Sequence, residues 1–177
     1  IGFLTEKQAL MLKEAGLDRI NHNLNSSRAY YHNICSTHTF EQRVANIKML
    51  QGLGFEICSG GIIGMGESKE DVVDMLLELR EIRPEALPIN FLLPIPGTPL
   101  EHADMSALTT AYCMKVLCLA RLLVPQSDIR CAAGREIYFK GEEKNLLRVV
   151  DSIFASGYLT AGGQGIKDTI QAIEDAG

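Results

Sequence analysis

An α/β chain whose parallel sheet curves into part of a βα-barrel is what this sequence predicts, on three observations. Short strand-like runs alternate with helix-like runs along the 177 residues, the pattern of a parallel sheet with helical crossovers. Each strand-like run has an apolar side and a side bearing a polar or reactive residue. Five such runs are visible, against the eight of a complete (βα)8 barrel of about 250 residues. The chain therefore reads as the C-terminal portion, about five βα units, of a TIM-type barrel.

Taken in order, Thr5-Glu6-Lys7-Gln8 is a capping box that opens a helix with Ala9, Leu12 and Leu17 on its apolar path. The run Arg19 to Asn23 is the first strand. A second box, Thr39-Phe40-Glu41-Gln42, opens a helix with Val44, Ile47 and Leu50 on one face, closed by Gly52 and Gly54. Phe55 to Ser59 is the next strand. Ser68-Lys69-Glu70-Asp71 caps a third helix with Val72, Leu76 and Leu79 as its stripe, stopped by Pro84. Leu87 to Leu93 is a strand, and Pro96-Gly97 in the loop after it fits the centre of a type II turn. A helix over about 106–123, a strand from Asp128 to Ala133, a helical stretch ending near Val150 and a last strand from Ser152 to Ser156 complete the series.

Side-chain parity favours a barrel over an open doubly wound sheet. Ile20 and His22 oppose Asn21 and Asn23, and Phe55 and Ile57 oppose Glu56 and Cys58. Ile89 and Phe91 oppose Asn90, and Ile129 and Cys131 oppose Arg130. A sheet covered by helices on both faces would prefer apolar residues on both. A polar second face fits a functional lumen instead.

Composition excludes several function classes. A net charge of −5 without a basic stripe argues against nucleic acid and anionic membrane surfaces as partners. Apolar stretches stop short of the roughly 20 residues that span a bilayer. The cysteines Cys35, Cys58, Cys113, Cys118 and Cys131 are odd in number and irregularly spaced, which favours free thiols in a reducing compartment, the cytoplasm or an organelle matrix. The chain begins at Ile1 and is expected to be a fragment.

Three features carry candidate chemistry. The glycine-rich run Ser59 to Glu67 reads as a βα turn that lets a bound group approach the backbone; it lacks the order of a dinucleotide fingerprint and the Lys-Ser/Thr ending of a phosphate loop. His32, Cys35 and His38 are spaced like soft metal ligands but lack a fourth partner, so they read as loop and helix-entry residues. Arg130, aimed into a lumen, needs either a carboxylate such as Glu56 or an anionic group.

Five motifs then recur in order: Asn21-His22-Asn23-Leu24, Cys58 through Glu67, Pro88-Ile89-Asn90-Phe91-Leu92 with Gly97-Thr98-Pro99-Leu100, Arg130 through Glu136, and Ser152-Ile153-Phe154 with Gly157-Tyr158-Leu159-Thr160. Together they resemble the biotin synthase family of radical S-adenosylmethionine enzymes, across essentially the whole chain. The resemblance implies one partial barrel domain over 1–177 and, for the full-length protein, sulfur insertion into dethiobiotin to form biotin. It implies S-adenosylmethionine, a [4Fe-4S] cluster and a [2Fe-2S] cluster as cofactors, an electron-donor protein as partner, and a homodimer.

By the same resemblance, Cys58 and Arg130 correspond to ligands of the [2Fe-2S] cluster. Asn23 corresponds to a residue near both adenosylmethionine and dethiobiotin, and Asn25 to a ribose contact. Gly61, Ile62, Gly64 and Glu67 belong to the segment against which adenosylmethionine lies. Asn90 corresponds to a contact of the substrate's ureido ring, and Thr160 to one of its carboxylate tail. Asn25 stands where several members have Asp, Ile20 where Tyr is frequent, and Ala161 where a second Thr is common. The Cys-x3-Cys-x2-Cys loop and the other two cysteines of the second cluster are absent, so the segment alone is expected to be inactive. Alternatives are a related radical enzyme with another substrate, or a non-catalytic barrel remnant that holds a nucleotide-like ligand.

Overall fold

A chain that always crosses a parallel sheet in one direction places all its helices on one side, because each crossover is right-handed. That is the arrangement found. The computed structural model describes residues 2–154 and 165–176. Its strands are β1 (Arg19–Asn21), β2 (Glu56–Cys58), β3 (Gly61–Ile63), β4 (Ala86–Phe91), β5 (Asp128–Cys131) and β6 (Ser152–Ile153). All pairings are parallel and the sheet order is β1-β2-β4-β5-β6, with β3 also on β4. The order never reverses, so the sheet has no switch point of the doubly wound kind. It is an arc of a barrel.

Helices α1 (Glu6–Glu14), α2 (Tyr31–Ile34), α3 (Phe40–Gly52), α4 (Lys69–Ile82) and α5 (Thr110–Leu123) precede or join these strands. The three capping boxes predicted at Thr5, Thr39 and Ser68 all form, each with the cap side chain accepting an amide three residues on. The stripes on α3 (Val44, Ile47 and Leu50) and α4 (Val72, Leu76 and Leu79) are buried, whereas on α1 only Ala9 is, with Leu12 half-buried and Leu17 half-buried beyond the helix end. Gly97 has φ +80° and Thr98 N donates to Ile95 O, so the type II turn forms.

Three expectations are corrected. The long helix starts at Thr110 rather than 106, because Thr109 is the cap and Asp104 accepts the Ser106 amide in a separate turn. The stretch before Val150 is two short helices, α6 (Arg135–Tyr138) and α7 (Glu143–Leu146), parted near Gly141 at φ +81°. The run after Cys58 is not a turn throughout, since β3 lies within it. Strands β2 and β3 share one register on β4, with Cys58 opposite Ala86 and Gly61 opposite Ile89. Ser59 N donates to Ala86 O and Leu92 N to Ile63 O, both at 2.9 Å. Between them the same register needs an N–H from residue 88, and Pro88 has none. One strand position is thus split by one missing rung, and a final helix, α8 (Ile166–Ala176), follows β6.

The connection from β1 to α3 packs His38 against Tyr31 and Arg43. His38 Nε2 lies 2.9 Å from the Tyr31 hydroxyl and 2.7 Å from Arg43 Nη2, and Nδ1 lies 2.9 Å from Thr37 Oγ1. A guanidinium only donates, so Nε2 is the acceptor and the proton sits on Nδ1. Burial and the Arg43 charge hold the imidazole below its usual range. His32 is exposed on α2 and joins none of these contacts, while Cys35 Sγ lies 3.5 Å from the His38 ring.

Two tests follow. A Cβ at Gly60 would meet Pro88 O at 1.8 Å, whereas one at Gly52 meets nothing within 4 Å. Gly60→Ala should cost at least about 2 kcal/mol by denaturant midpoint, while Gly52→Ala should be neutral or stabilising by up to about 1 kcal/mol. For His38 the folded state prefers the neutral ring, so its contribution is complete above 6.5 and is lost as pH falls through that value toward the lowered one. His38→Gln should flatten the fall of stability with acid in a pH series of melts.

Candidate functional site

Each strand turns one side chain to the helices and the next to the lumen. Ile20, Ile57, Ile89, Ile129 and Cys131 face the helices, all at most 2% exposed. The lumen side carries Asn21 on β1 and Asn23 just after it, Cys58 on β2, Ile62 on β3, Asn90 on β4 and Arg130 on β5. Among these, Asn21 is exposed and Asn23, Ile62 and Arg130 are half-buried. Cys58 therefore shares a face with Arg130, and Cys131 does not.

The polar groups on this face are linked from strand to strand. Asn21 lies directly opposite Cys58 in the β1–β2 register, and its Nδ2 donates to Cys58 Sγ at 3.2 Å. The same nitrogen is 3.4 Å from Asn23 Oδ1, which also accepts the Gly60 amide at 3.2 Å. No partner for the Asn23 side-chain nitrogen occurs among the described residues. Asn90 Nδ2 donates to Gly61 O at 3.1 Å and its Oδ1 accepts Ala133 N at 3.2 Å. One N–H and one lone pair of that buried amide remain for a ligand.

Arg130 donates from Nε to Ser152 Oγ at 2.9 Å. The Glu56 pairing considered for it does not form: Glu56 pairs with Arg19, its register partner on β1, at 2.6 Å. Adjacent strands bring Arg19 closer than a strand two positions away can bring Arg130. Among the described residues Arg130 has no acidic partner.

The Gly64–Glu67 turn is held from within. Glu67 accepts the Gly64 amide at 2.7 Å on one carboxylate oxygen and the Met65 amide at 2.8 Å on the other. Tyr30 donates its hydroxyl to Met65 O at 2.9 Å. Gly64 and Gly66 take φ of +104° and +106°, and a Cβ there would meet Leu108 and the Tyr30 hydroxyl, each at 2.6 Å. Gly61 is equally tight, since its Cβ would meet Met75 Sδ at 2.2 Å. Asn25 has φ 71°, donates its amide to Gly60 O at 3.0 Å and accepts the Ile62 amide at 2.9 Å. Asn and Asp both tolerate this left-handed conformation, which accounts for either residue at the position. Thr160 lies outside the described residues.

The other thiols differ in kind. Burial pushes Cys113 and Cys131 up to about 12, so both stay protonated and inert. Cys113 is fully buried on α5 and Cys118 half-buried, about 140° apart around the helix. All five cysteines are free. Sequence reasoning missed Asn21, Tyr30 and Ser152; only the parity of Asn21 with Asn23 signalled any of them. No helix among the described residues is long and apolar enough to cross a membrane.

Comparison with known proteins gives the chain its relatives and its fold. The chain is 44% identical over 177 residues to a biotin synthase of Renibacterium salmoninarum and 44% identical to one of Rhodopirellula baltica, covering 100% of this chain and 51% and 49% of theirs. A biotin synthase of Leptospira interrogans is 43% identical over 176 residues. The chain spans about half the length of the curated relatives it matches. Among solved structures, the FeFe-hydrogenase maturase HydG from Carboxydothermus hydrogenoformans superposes with a TM-score of 0.79 at 15% identity, over 99% of this chain and 45% of that one. Methylornithine synthase superposes with 0.75 at 18%, over 98% and 55%. At such identities the likeness is one of fold. Residues 1–79 match the radical SAM superfamily and residues 88–177 the Biotin and Thiamin Synthesis associated domain. The chain belongs to the family of the Biotin and Thiamin Synthesis associated domain.

Proposed function

We propose that this chain is the part of a biotin synthase that supplies the substrate-facing lumen and part of the coordination of its second, [2Fe-2S] cluster. The whole protein inserts sulfur into dethiobiotin by radical S-adenosylmethionine chemistry. It takes reducing equivalents from an electron-donor protein and works as a homodimer. The observation that carries this reading is the shared face of Cys58 and Arg130, with Asn23 and Asn90 on it and Cys131 turned away.

The donor set fits a partial ligand shell. Cys58 offers a sulfur already in contact with an N–H donor, and Arg130 offers a guanidinium with no acidic partner among the described residues. No group of three or more metal-binding side chains occurs among the described residues, so these two fit a cluster completed by ligands elsewhere. When bound, the clusters and adenosylmethionine supply the radical that removes hydrogen from dethiobiotin and the sulfur that replaces it.

The chain's own residues bind and orient. Asn90, clamped between Gly61 O and Ala133 N, presents its remaining N–H and lone pair to a cyclic urea, which needs both a donor and an acceptor. Asn23 keeps its amide nitrogen for a ligand, and Thr160 is assigned the substrate's carboxylate tail. The Gly61–Gly64 stretch gives the nucleoside a surface in which the glycines expose backbone and Ile62, toward the lumen, adds an apolar contact. Asn25 holds that stretch to β1 and offers its amide to the ribose. Glu67 acts by fixing the turn, because both of its oxygens are occupied. Ser152 aims Arg130 through its hydrogen bond, as a supporting partner does around a metal ligand.

The test uses the full-length protein with reconstituted iron and sulfide, adenosylmethionine, a reductant and dethiobiotin. Biotin and 5′-deoxyadenosine should form, and Cys58→Ala should lose the [2Fe-2S] absorbance together with biotin formation. Retention of the full cluster spectrum in Cys58→Ala would sink the ligand assignment. A second variant separates charge from geometry. Arg130→Lys keeps the charge but loses the planar fork, so it should alter the cluster's absorbance while moving the unfolding free energy by less than about 1 kcal/mol. Asn90→Ala should raise the dethiobiotin KM by roughly tenfold or more, as expected for a lost buried hydrogen bond.

A further inference from the structure

Asn21 is the residue on the lumen face whose contacts the proposed chemistry leaves unused. It sits opposite Cys58 in the β1–β2 ladder, so register alone puts its carboxamide and the thiol side by side on one face. Nδ2 lies 3.2 Å from Cys58 Sγ and 3.4 Å from Asn23 Oδ1. An amide nitrogen carries two hydrogens, and here one points to the sulfur and the other to the neighbouring carboxamide. We propose that Asn21 is a positioning residue that sets the reduction potential of the cluster held by Cys58, through an N–H···S hydrogen bond. The proposal rests on the assignment of Cys58 as a cluster ligand.

The physical reason is charge. A hydrogen bond to a ligating sulfur draws electron density from it and favours the reduced, more negative cluster; such bonds are among the levers that set iron–sulfur potentials. Asn21 is held for this task at both ends: its backbone by the strand ladder, its side chain by Asn23, which is in turn fixed by the Gly60 amide. The contact links the sulfur to Asn23, whose side-chain nitrogen has no partner among the described residues. Because the Asn21 side chain is exposed to the lumen rather than packed in the core, its replacement removes the donor without opening a cavity.

The experiment is a redox titration of the reconstituted [2Fe-2S] cluster in the full-length protein, comparing Asn21→Leu and Asn21→Asp with the unaltered chain. Both replacements match the side chain in length and lack the amide donor. Cluster content should persist, with the midpoint potential shifted to more negative values, further for Asp because its carboxylate adds charge. The visible bands of the sulfur-to-iron transitions should move with it. An unchanged potential in both variants, with the cluster retained, overturns the proposal. So does loss of the cluster from a folded Asn21→Leu protein, since a residue needed for assembly is not a tuning residue. Cys58→Ala is the separate control: if it keeps the cluster, the ligand assignment has failed, whereas cluster loss there with an unchanged potential in the Asn21 variants condemns the present inference alone.

Discussion

Side-chain alternation along parallel strands is the constraint on which the molecule depends. Because every crossover runs the same way, the helices cover only one face, and that face must be apolar at every second residue. Ile20, Ile57, Ile89 and Ile129 satisfy it with almost no exposure. Truncating a buried side chain of this size costs about 2–5 kcal/mol, and a slip by one residue would turn several of them out together. The apolar face thus holds the register, and the register decides which residues meet in the lumen. Cys58, Asn90 and Arg130 are where they are because isoleucines beside them cannot be elsewhere.

That division also sorts the cysteines. Cys131 is adjacent to Arg130 in the chain yet lies among the helices, where burial keeps it protonated. Cys58 lies among amides. A thiol without compensating donors is held neutral by desolvation, whereas the sulfur of Cys58 has the Asn21 side-chain N–H beside it. The same element type thereby yields a protonated sulfur packed among helices or a lumen-facing sulfur beside an amide, according to which side of a strand the residue occupies.

Much of this was legible in the sequence because the signals are local. A capping box needs four residues, and Thr5, Thr39 and Ser68 each form theirs. Strand parity needs only alternate residues, so the lumen set could be listed before any coordinates. What stayed hidden depends on neighbours far along the chain. Nothing local says that Arg19 takes Glu56 before Arg130 can reach it, or that the Glu67 carboxylate turns back onto its own loop. The sequence pattern predicts α5 four residues early because the turn made by Asp104 is followed by residues compatible with helix. The gap in the β2–β3 strand escaped notice since Pro88 acts through a partner strand, on residues nearly thirty positions earlier.

That gap makes two distant positions depend on one another. Residue 60 runs so close to the carbonyl of residue 88 that no side chain fits, and residue 88 withholds the amide that would pull the strands into even pairing. A substitution at 88 that restored an N–H would draw in the strand carrying Cys58, and one at 60 would push it away. The spacing of the two strands at this point is therefore set jointly by a missing side chain at one position and a missing hydrogen at the other.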